Sequence, residues 1–334
     1  MDRFSKSSRW IALMGRNRAY GIFGLITLTV MVATAVSPSF LAPANVNDLL
    51  VQAAPIVIMA CGVMVVILTA EIDISVGSMM GILAATLGVL TSPRHLDWPV
   101  PLAALAIMGL GAGMGAVNGV LVAFGKVPSI IVTLGMLTAF KGGTEFILEG
   151  GWITDLPEGL RFLGTGSILS IPISVGVALV VVGFTGWLLS RTSFGRRVYA
   201  VGSNQTAALY AGIPVRWVKL LTFTWSGFLV GVAVLVSAPQ LSVIDSGFGT
   251  GYELLVVTCV VVGGVAISGG VGTVAGVVMA TLLMTMISTV LIFLKLGENA
   301  TYWSRSIQGC FILGAVLLDH WLRSQKRGWG RGES

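Results

Sequence analysis

Charge is the scarcest property of this sequence. Only 10% of its 334 residues are Asp, Glu, Lys or Arg, against about a quarter in a soluble domain. So few polar groups cannot cover a water-facing surface. With 55% hydrophobic residues and a mean hydropathy of +0.93, the chain reads as an all-α polytopic membrane protein. Histidine is nearly missing: His95 and His320 are the only two, and both sit at the ends of apolar runs. That leaves no buried Ser–His pair and no H-E-x-x-H zinc site. The three cysteines, Cys61, Cys259 and Cys310, are far apart and inside apolar segments, so they read as small buried hydrophobes rather than metal ligands. A Walker A sequence is absent, so the chain does not hydrolyse ATP alone. The glycines of "GLGAGMG" (109–115) have neither the strand context nor the Lys-Ser/Thr of a phosphate loop. These absences disfavour an enzyme and leave the passage of something across a membrane.

Ten apolar stretches long enough to cross a bilayer are expected, at roughly 20–36, 49–69, 75–91, 99–124, 128–148, 168–190, 216–238, 253–267, 272–294 and 303–320. The division between the eighth and ninth is placed at "ISGGVG" (Ile267–Gly272), where glycine pairs favour a turn. Ala33-Thr34-Ala35 resembles a signal-peptidase site, but the run before it is longer than a signal core, so an uncleaved first helix is expected. Ten crossings put both termini on one side. On that side fall fifteen basic residues: five before the first helix, five between Arg191 and Lys219, four at the C-terminus, and Lys126. The other side has Arg94, Arg161, Lys295 and Arg305. The asymmetry points to cytoplasmic termini. It also accounts for the net charge of +6 without nucleic acid. The organisation expected is a basic N-terminus (1–19), a transmembrane domain (20–322) with a cytoplasmic loop at 191–215, and a C-terminal tail (323–334). "EGGWITDLPEGLRFLGTG" (149–166) is too polar to cross and belongs to the outer face. Gly111, Gly115 and Gly119, and likewise Gly272, Gly276 and Ala280, form small-residue stripes that let helix backbones approach.

Polar residues within apolar runs need a reason. Lys141 has Glu145 one turn later, either as a mutually neutralised pair or as part of a solute path. "TAEIDISVGS" (69–78) sets Glu71 and Asp73 between two spans, with Asp73 or Ser75 able to cap the next helix. The alternative is a broken-helix element beside a pathway. Asn118, Thr133 and Thr138 serve either as helix–helix hydrogen bonds or as path residues.

The one long basic stretch, "RTSFGRRVYAVGSNQTAALYAGIPVRWVK" (Arg191–Lys219), is unlike its surroundings. Ser203 or Asn204 can start a short helix there, and Gly212 followed by Pro214 ends it. Ala207, Tyr210 and Ala211 would share one face. A helix so short and polar does not cross; it lies on the cytoplasmic surface as a docking knob.

Here the sequence resembles a known family. "TSFGRRVYAVGSNQTAALYAGI" resembles the coupling loop of bacterial ATP-binding-cassette importer permeases of the ribose/arabinose/xylose type. "LTAEIDISVGS", "AVNGVLVAFGKVPSIIVTLGMLTAFKGG" and "VVVGGVAISGGVGTVAGVVMATLL" are similar to further elements of that family, in its order, from about residue 45 to 320. The resemblance implies a homo- or heterodimer of ten-helix subunits in the bacterial inner membrane. Each subunit would be docked on a cytosolic ATPase that binds ATP and Mg, so this chain itself binds no cofactor. A periplasmic solute-binding protein would deliver a small sugar. The contact with the ATPase is carried over to Gly195, Arg196, Gly202, Asn204, Ala207, Ala208, Gly212 and Ile213. Asp73, Ser75, Asn118, Thr133 and Lys141 are candidates for the translocation path or gate. Glu71 and Ser203 stand where the family has, usually or often, glycine, and Lys141 where relatives often carry Arg. The outer loop "GGWITDLPEGL" looks like that of rhamnose or autoinducer-2 importers. The alternative function is a self-sufficient ion-coupled carrier.

Overall fold

The computed structural model describes residues 21–241, 243–294, 302–314 and 317. The basic N-terminus, Lys295, the end of the last expected crossing and the C-terminal tail lie outside the described residues. The elements in order are α1 (Gly21–Val36), a 3-10 turn (Pro38–Leu41), α2 (Pro43–Leu68), α3 (Val76–Thr91), α4 (Val100–Ala123), α5 (Ser129–Leu148) and α6 (Glu158–Thr165). A two-stranded hairpin follows, β1 (Ser167–Ile168) and β2 (Ile171–Pro172). Then come α7 (Ile173–Arg191), α8 (Ser193–Ser203), α9 (Gln205–Tyr210), α10 (Val215–Ser237), a second 3-10 turn (Ala238–Gln240), α11 (Tyr252–Val262) and α12 (Val274–Phe293). A last helix, α13, covers 302–314.

Each of the ten apolar stretches coincides with a helix among the described residues. Six of these helices, α2, α4, α5, α7, α10 and α12, are long and apolar enough to span a membrane; α1, α3 and α11 are shorter apolar helices. The chain is therefore mostly helical and multi-pass.

The bundle has a centre and a periphery. In α2, 83% of the most apolar window is buried, and in α10 67%. In α4 and α5 the figure is only 22%, and in α7 28%. Leu105, Ile131 and Val180 stand out from these peripheral helices with more than half of each side chain exposed. That apolar exterior matches a surrounding of lipid tails. The closest packing joins α4 to α10 along the first small-residue stripe. A Cβ at Gly111 would meet the Gly227 carbonyl at 2.4 Å, and one at Gly115 the Phe223 carbonyl at 2.2 Å. The second stripe works the same way: a Cβ at Gly276 would lie 2.1 Å from the Gly263 carbonyl.

The structure differs from expectation in four places, the simplest being Cys310, which is exposed where Cys61 and Cys259 are buried. The stretch at 168–172 opens as a hairpin, because Leu169 and Ser170 adopt positive φ and turn the chain before α7 begins at Ile173. The polar segment 149–166 contains a helix, α6, whose Leu160 is fully buried against the bundle. The eighth stretch is helical for only eleven residues and stops at Val262, where Gly263 and Gly264 end it.

Candidate functional site

At one end of the bundle, α8 and α9 form a projecting surface. Thr192 caps α8, its Oγ1 accepting from the Gly195 amide at 3.2 Å. Gly195 is required by space, since a Cβ there would meet the Leu189 carbonyl at 2.3 Å. Arg196 and Arg197 are exposed, while Val198 and Val201 are buried beneath them. Asn204 is the cap of α9: its Oδ1 accepts from the Ala207 amide at 2.9 Å, while Ser203 is the last residue of α8. Gly212, at φ +78°, reverses the chain, and the Ile213 amide donates to the Ala208 carbonyl at 3.0 Å. Ala208 faces inward. Ala207, Tyr210 and Ala211 face outward together, Tyr210 with 87% of its surface open.

The underside of this surface is fastened to two other segments. A Cβ at Gly202 would lie 1.8 Å from the Leu68 carbonyl and 2.5 Å from the Gly270 amide. Gly270 N–H itself donates to the Leu68 carbonyl at 2.9 Å. Tyr199 Oη–H donates to the Gly272 carbonyl at 2.9 Å. The end of α2, the end of α8 and the glycine loop 263–273 thus meet in one backbone contact. Beside it, Lys219 of α10 donates to Glu71 Oε1 at 2.5 Å and to Gln205 Oε1 at 2.9 Å. The Lys219 and Glu71 side chains are only 10% and 14% exposed. A single ammonium therefore links the α2–α3 linker, α9 and α10.

Further in, Asp73, Ser75, Asn118 and Thr133 are fully buried. Asp73 Oδ1 accepts from both the amide and the hydroxyl of Ser75, at 2.9 and 2.7 Å, and Asn118 Nδ2 donates to Ser75 Oγ at 2.9 Å. Ser75 occupies the cap position of α3, but its hydroxyl is turned to Asp73 instead of capping. Thr133 Oγ1 bonds the Ser129 carbonyl at 2.9 Å and reaches the Ile72 carbonyl at 3.4 Å. Among the described residues, Asp73 Oδ2 and Asn118 Oδ1 have no hydrogen-bond partner. These four candidates converge on the α2–α3 linker and tie it to α4 and α5.

Lys141 stands apart. It lies 3.8 Å from Glu145, at 36% and 59% side-chain exposure, and it also donates to the Ser246 carbonyl. It therefore braces the loop before α11. Lys219 and Gln205 are not singled out by the sequence, where Lys219 counts only as an orientation charge. An ionisable group four residues inside a span is the signal that was available.

Comparison with known proteins places the chain in a family. Residues 45–316 match the family described as branched-chain amino acid transport system / permease component. The chain is 33% identical over 311 residues to the autoinducer 2 import system permease protein LsrC of Salmonella typhi, covering 93% of this chain and 88% of that one. It is 34% identical over 310 residues to the protein of that name from Enterobacter sp. (strain 638), with 92% and 88% covered. Its counterpart in Klebsiella pneumoniae is 33% identical over 308 residues, with the same coverage. No solved structure matches.

Proposed function

The chain belongs to the branched-chain amino acid transport system / permease component family, and from that premise we propose that it is the membrane-spanning subunit of an ATP-driven importer for a small sugar-like solute. The relatives named as autoinducer 2 import permeases favour a furanosyl solute of that kind, with rhamnose or a ribose-like pentose as neighbours in chemistry. In this reading the face bearing α8 and α9 is cytoplasmic and seats on an ATPase subunit, which holds ATP and Mg. A second permease subunit completes the path, a periplasmic binding protein delivers solute to the opposite face, and the membrane is the bacterial inner membrane.

One observation carries the reading. The capped helix α9 presents Ala207, Tyr210 and Ala211 outward while its foundation is locked to α2, α10 and the loop before α12. A rigid knob so fastened passes a partner's closure into the bundle as rigid-body movement. Asp73, Ser75, Asn118 and Thr133 would then act as the buried end of that linkage and Arg196, Asn204, Ala207, Gly212 and Ile213 as its outer end, while Gly195, Gly202 and Ala208, which face inward, shape the knob from beneath.

The test is purification of the tagged chain from its native membrane in mild detergent. A Walker-A-bearing ATPase is expected to come with it and to be lost in Gly212→Pro. Proline cannot adopt the positive φ of Gly212 and lacks the amide that donates to the Leu209 carbonyl at 3.0 Å. Recovery of the chain alone, still catalysing ion-driven uptake, sinks the importer reading and favours the carrier.

A further inference from the structure

Two interrupted helices face each other near the middle of the bundle. Pro55 lies inside α2 and has no N–H, so the Val51 carbonyl loses its helical partner. Gln240 Nε2 reaches that carbonyl at 3.4 Å and the Val236 carbonyl at 2.8 Å. Opposite stands the loop before α11. That helix, at eleven residues, rises only about 17 Å, against about 30 Å of hydrocarbon. The rest of the depth is covered by loop, which reaches far in. A Cβ at Gly249 would lie 2.2 Å from the Gly77 carbonyl in the first turn of α3, and one at Gly81 2.8 Å from the Phe248 carbonyl. Non-helical backbone at such depth persists only where protein buries it or where it lines a wet cavity.

A cleft of about 610 Å³ lies between the two interruptions. Its wall combines Gln52, Thr250, Tyr252 and Ser288 with the apolar surfaces of Met80 and Phe248. Among the described lining residues Asp245 is the one carrying a charge, while Arg305 lines an adjoining recess that shares Thr250, Tyr252, Leu255 and Ser288 with the cleft. Asp245 is partly occupied: its Oδ1 accepts from the Gly247 amide at 2.9 Å. The loop forming this wall is anchored from outside by the bond from Lys141 to the Ser246 carbonyl and by the Ile153–Ile244 bridge.

We infer that this cleft is a binding station for a small uncharged polyhydroxylated molecule. Amide, hydroxyl and phenol groups match hydroxyls, while Phe248, Tyr252 and Met80 match the C–H face of a sugar-like ring. No described residue of the cleft wall itself offers an anion an ion-pair partner. The volume holds a monosaccharide-sized solute with water to spare. The inference rests on the import reading for the identity of the solute, not for the existence of the site.

Thiol labelling in the assembled transporter tests it. Cys61 and Cys259 are buried and Cys310 is exposed, so Thr250→Cys is placed in a Cys310→Ser background and treated with a neutral methanethiosulfonate. Modification is expected to block uptake. One of L-rhamnose, D-ribose or autoinducer 2, at ten times its half-saturating concentration, is expected to slow modification about tenfold. Leu169→Cys, on the exposed hairpin tip, serves as the control whose modification leaves uptake unchanged. Complete modification with normal uptake, or a labelling rate untouched by all three solutes, overturns the site. If Thr250→Cys does not fold, Ser288→Cys, which lines the cleft from α12, carries the same two outcomes. Uptake that needs no ATPase would instead overturn the import reading and leave the cleft to be judged by the labelling alone.

Discussion

The two ends of this bundle are built on opposite terms. At the end bearing α8 and α9, backbone touches backbone at Gly202 and Gly270, and a buried ammonium is shared by three segments. At the other end, the Lys141–Glu145 pair is half in solvent and a hairpin tip stands free, and the cleft lies deeper in the bundle. The difference teaches which end can tolerate change. Contact between main chains has no slack, so force applied there is transmitted. Contact between a long side chain and a loop carbonyl yields, so the part of the cleft loop at Ser246 can adjust while Gly249, main chain against Gly77, stays fixed.

The largest effect expected is from Gly202→Val. Its Cβ would occupy the Leu68 carbonyl, and no flexible side chain is available to give way. Destabilisation beyond about 4 kcal/mol is expected, seen as loss of folded chain from the membrane in a detergent-melt assay. Gly176, with nothing near its Cβ position, should accept alanine without change; a matching loss there would erase the contrast.

Next comes the buried pair. Lys219→Met leaves the Glu71 carboxylate without its cation, at a cost of about 3–5 kcal/mol. The double variant Lys219→Met/Glu71→Gln should recover most of it. Thermal unfolding of the two single variants and the double one checks this, and full additivity would mean the two groups do not interact. The open-end counterpart, Lys141→Met, loses a pair worth less than about 1 kcal/mol, together with the hold on Ser246. A small fall in Tm and a larger fall in uptake rate are expected; the reverse pattern would make Lys141 structural only.

The smallest effect is acid sensitivity at Asp155, on the loop before α6. The Ser92 hydroxyl, donating at 2.8 Å, is the main cause holding this carboxyl below the usual range, with Arg94 and His95 adding to it. A depressed carboxylate stabilises the fold above its unfolded value near about 4, and that stability fades as pH falls through the folded value. The melting difference between the chain and Asp155→Asn should therefore shrink on acidification; a difference that grows would reverse the assignment.

Much of the fold was legible because it rests on composition. Apolar runs marked the helices, and glycine spacing marked a close-packing face of α4 without naming α10 as its partner. Asn204, Gly212 and the outward trio of α9 were legible from local capping chemistry. What stayed hidden depended on distant partners. Nothing near Glu71 in sequence announces Lys219, 148 positions away. Pro55 and Gln240 matter only because the bundle sets the freed Val51 carbonyl beside the second of them. The candidates Asp73, Ser75, Asn118 and Thr133 could be suspected one at a time, but their convergence on one linker is a property of the packing.

The brevity of α11 also bears on how the chain is assembled in the bilayer. The polar segment from Asp245 to Gly251 cannot enter lipid while its backbone is bare, and its contacts come from α3, α5 and α2. Those helices are synthesised earlier, so the slot exists before the insert does. Membrane insertion and folding are therefore separate steps for this segment. A chain ending just after α11, once released from the ribosome, should already shield 245–251 from added protease, because α2, α3 and α5 supply the slot; free cleavage there would mean that α12 is needed to form it.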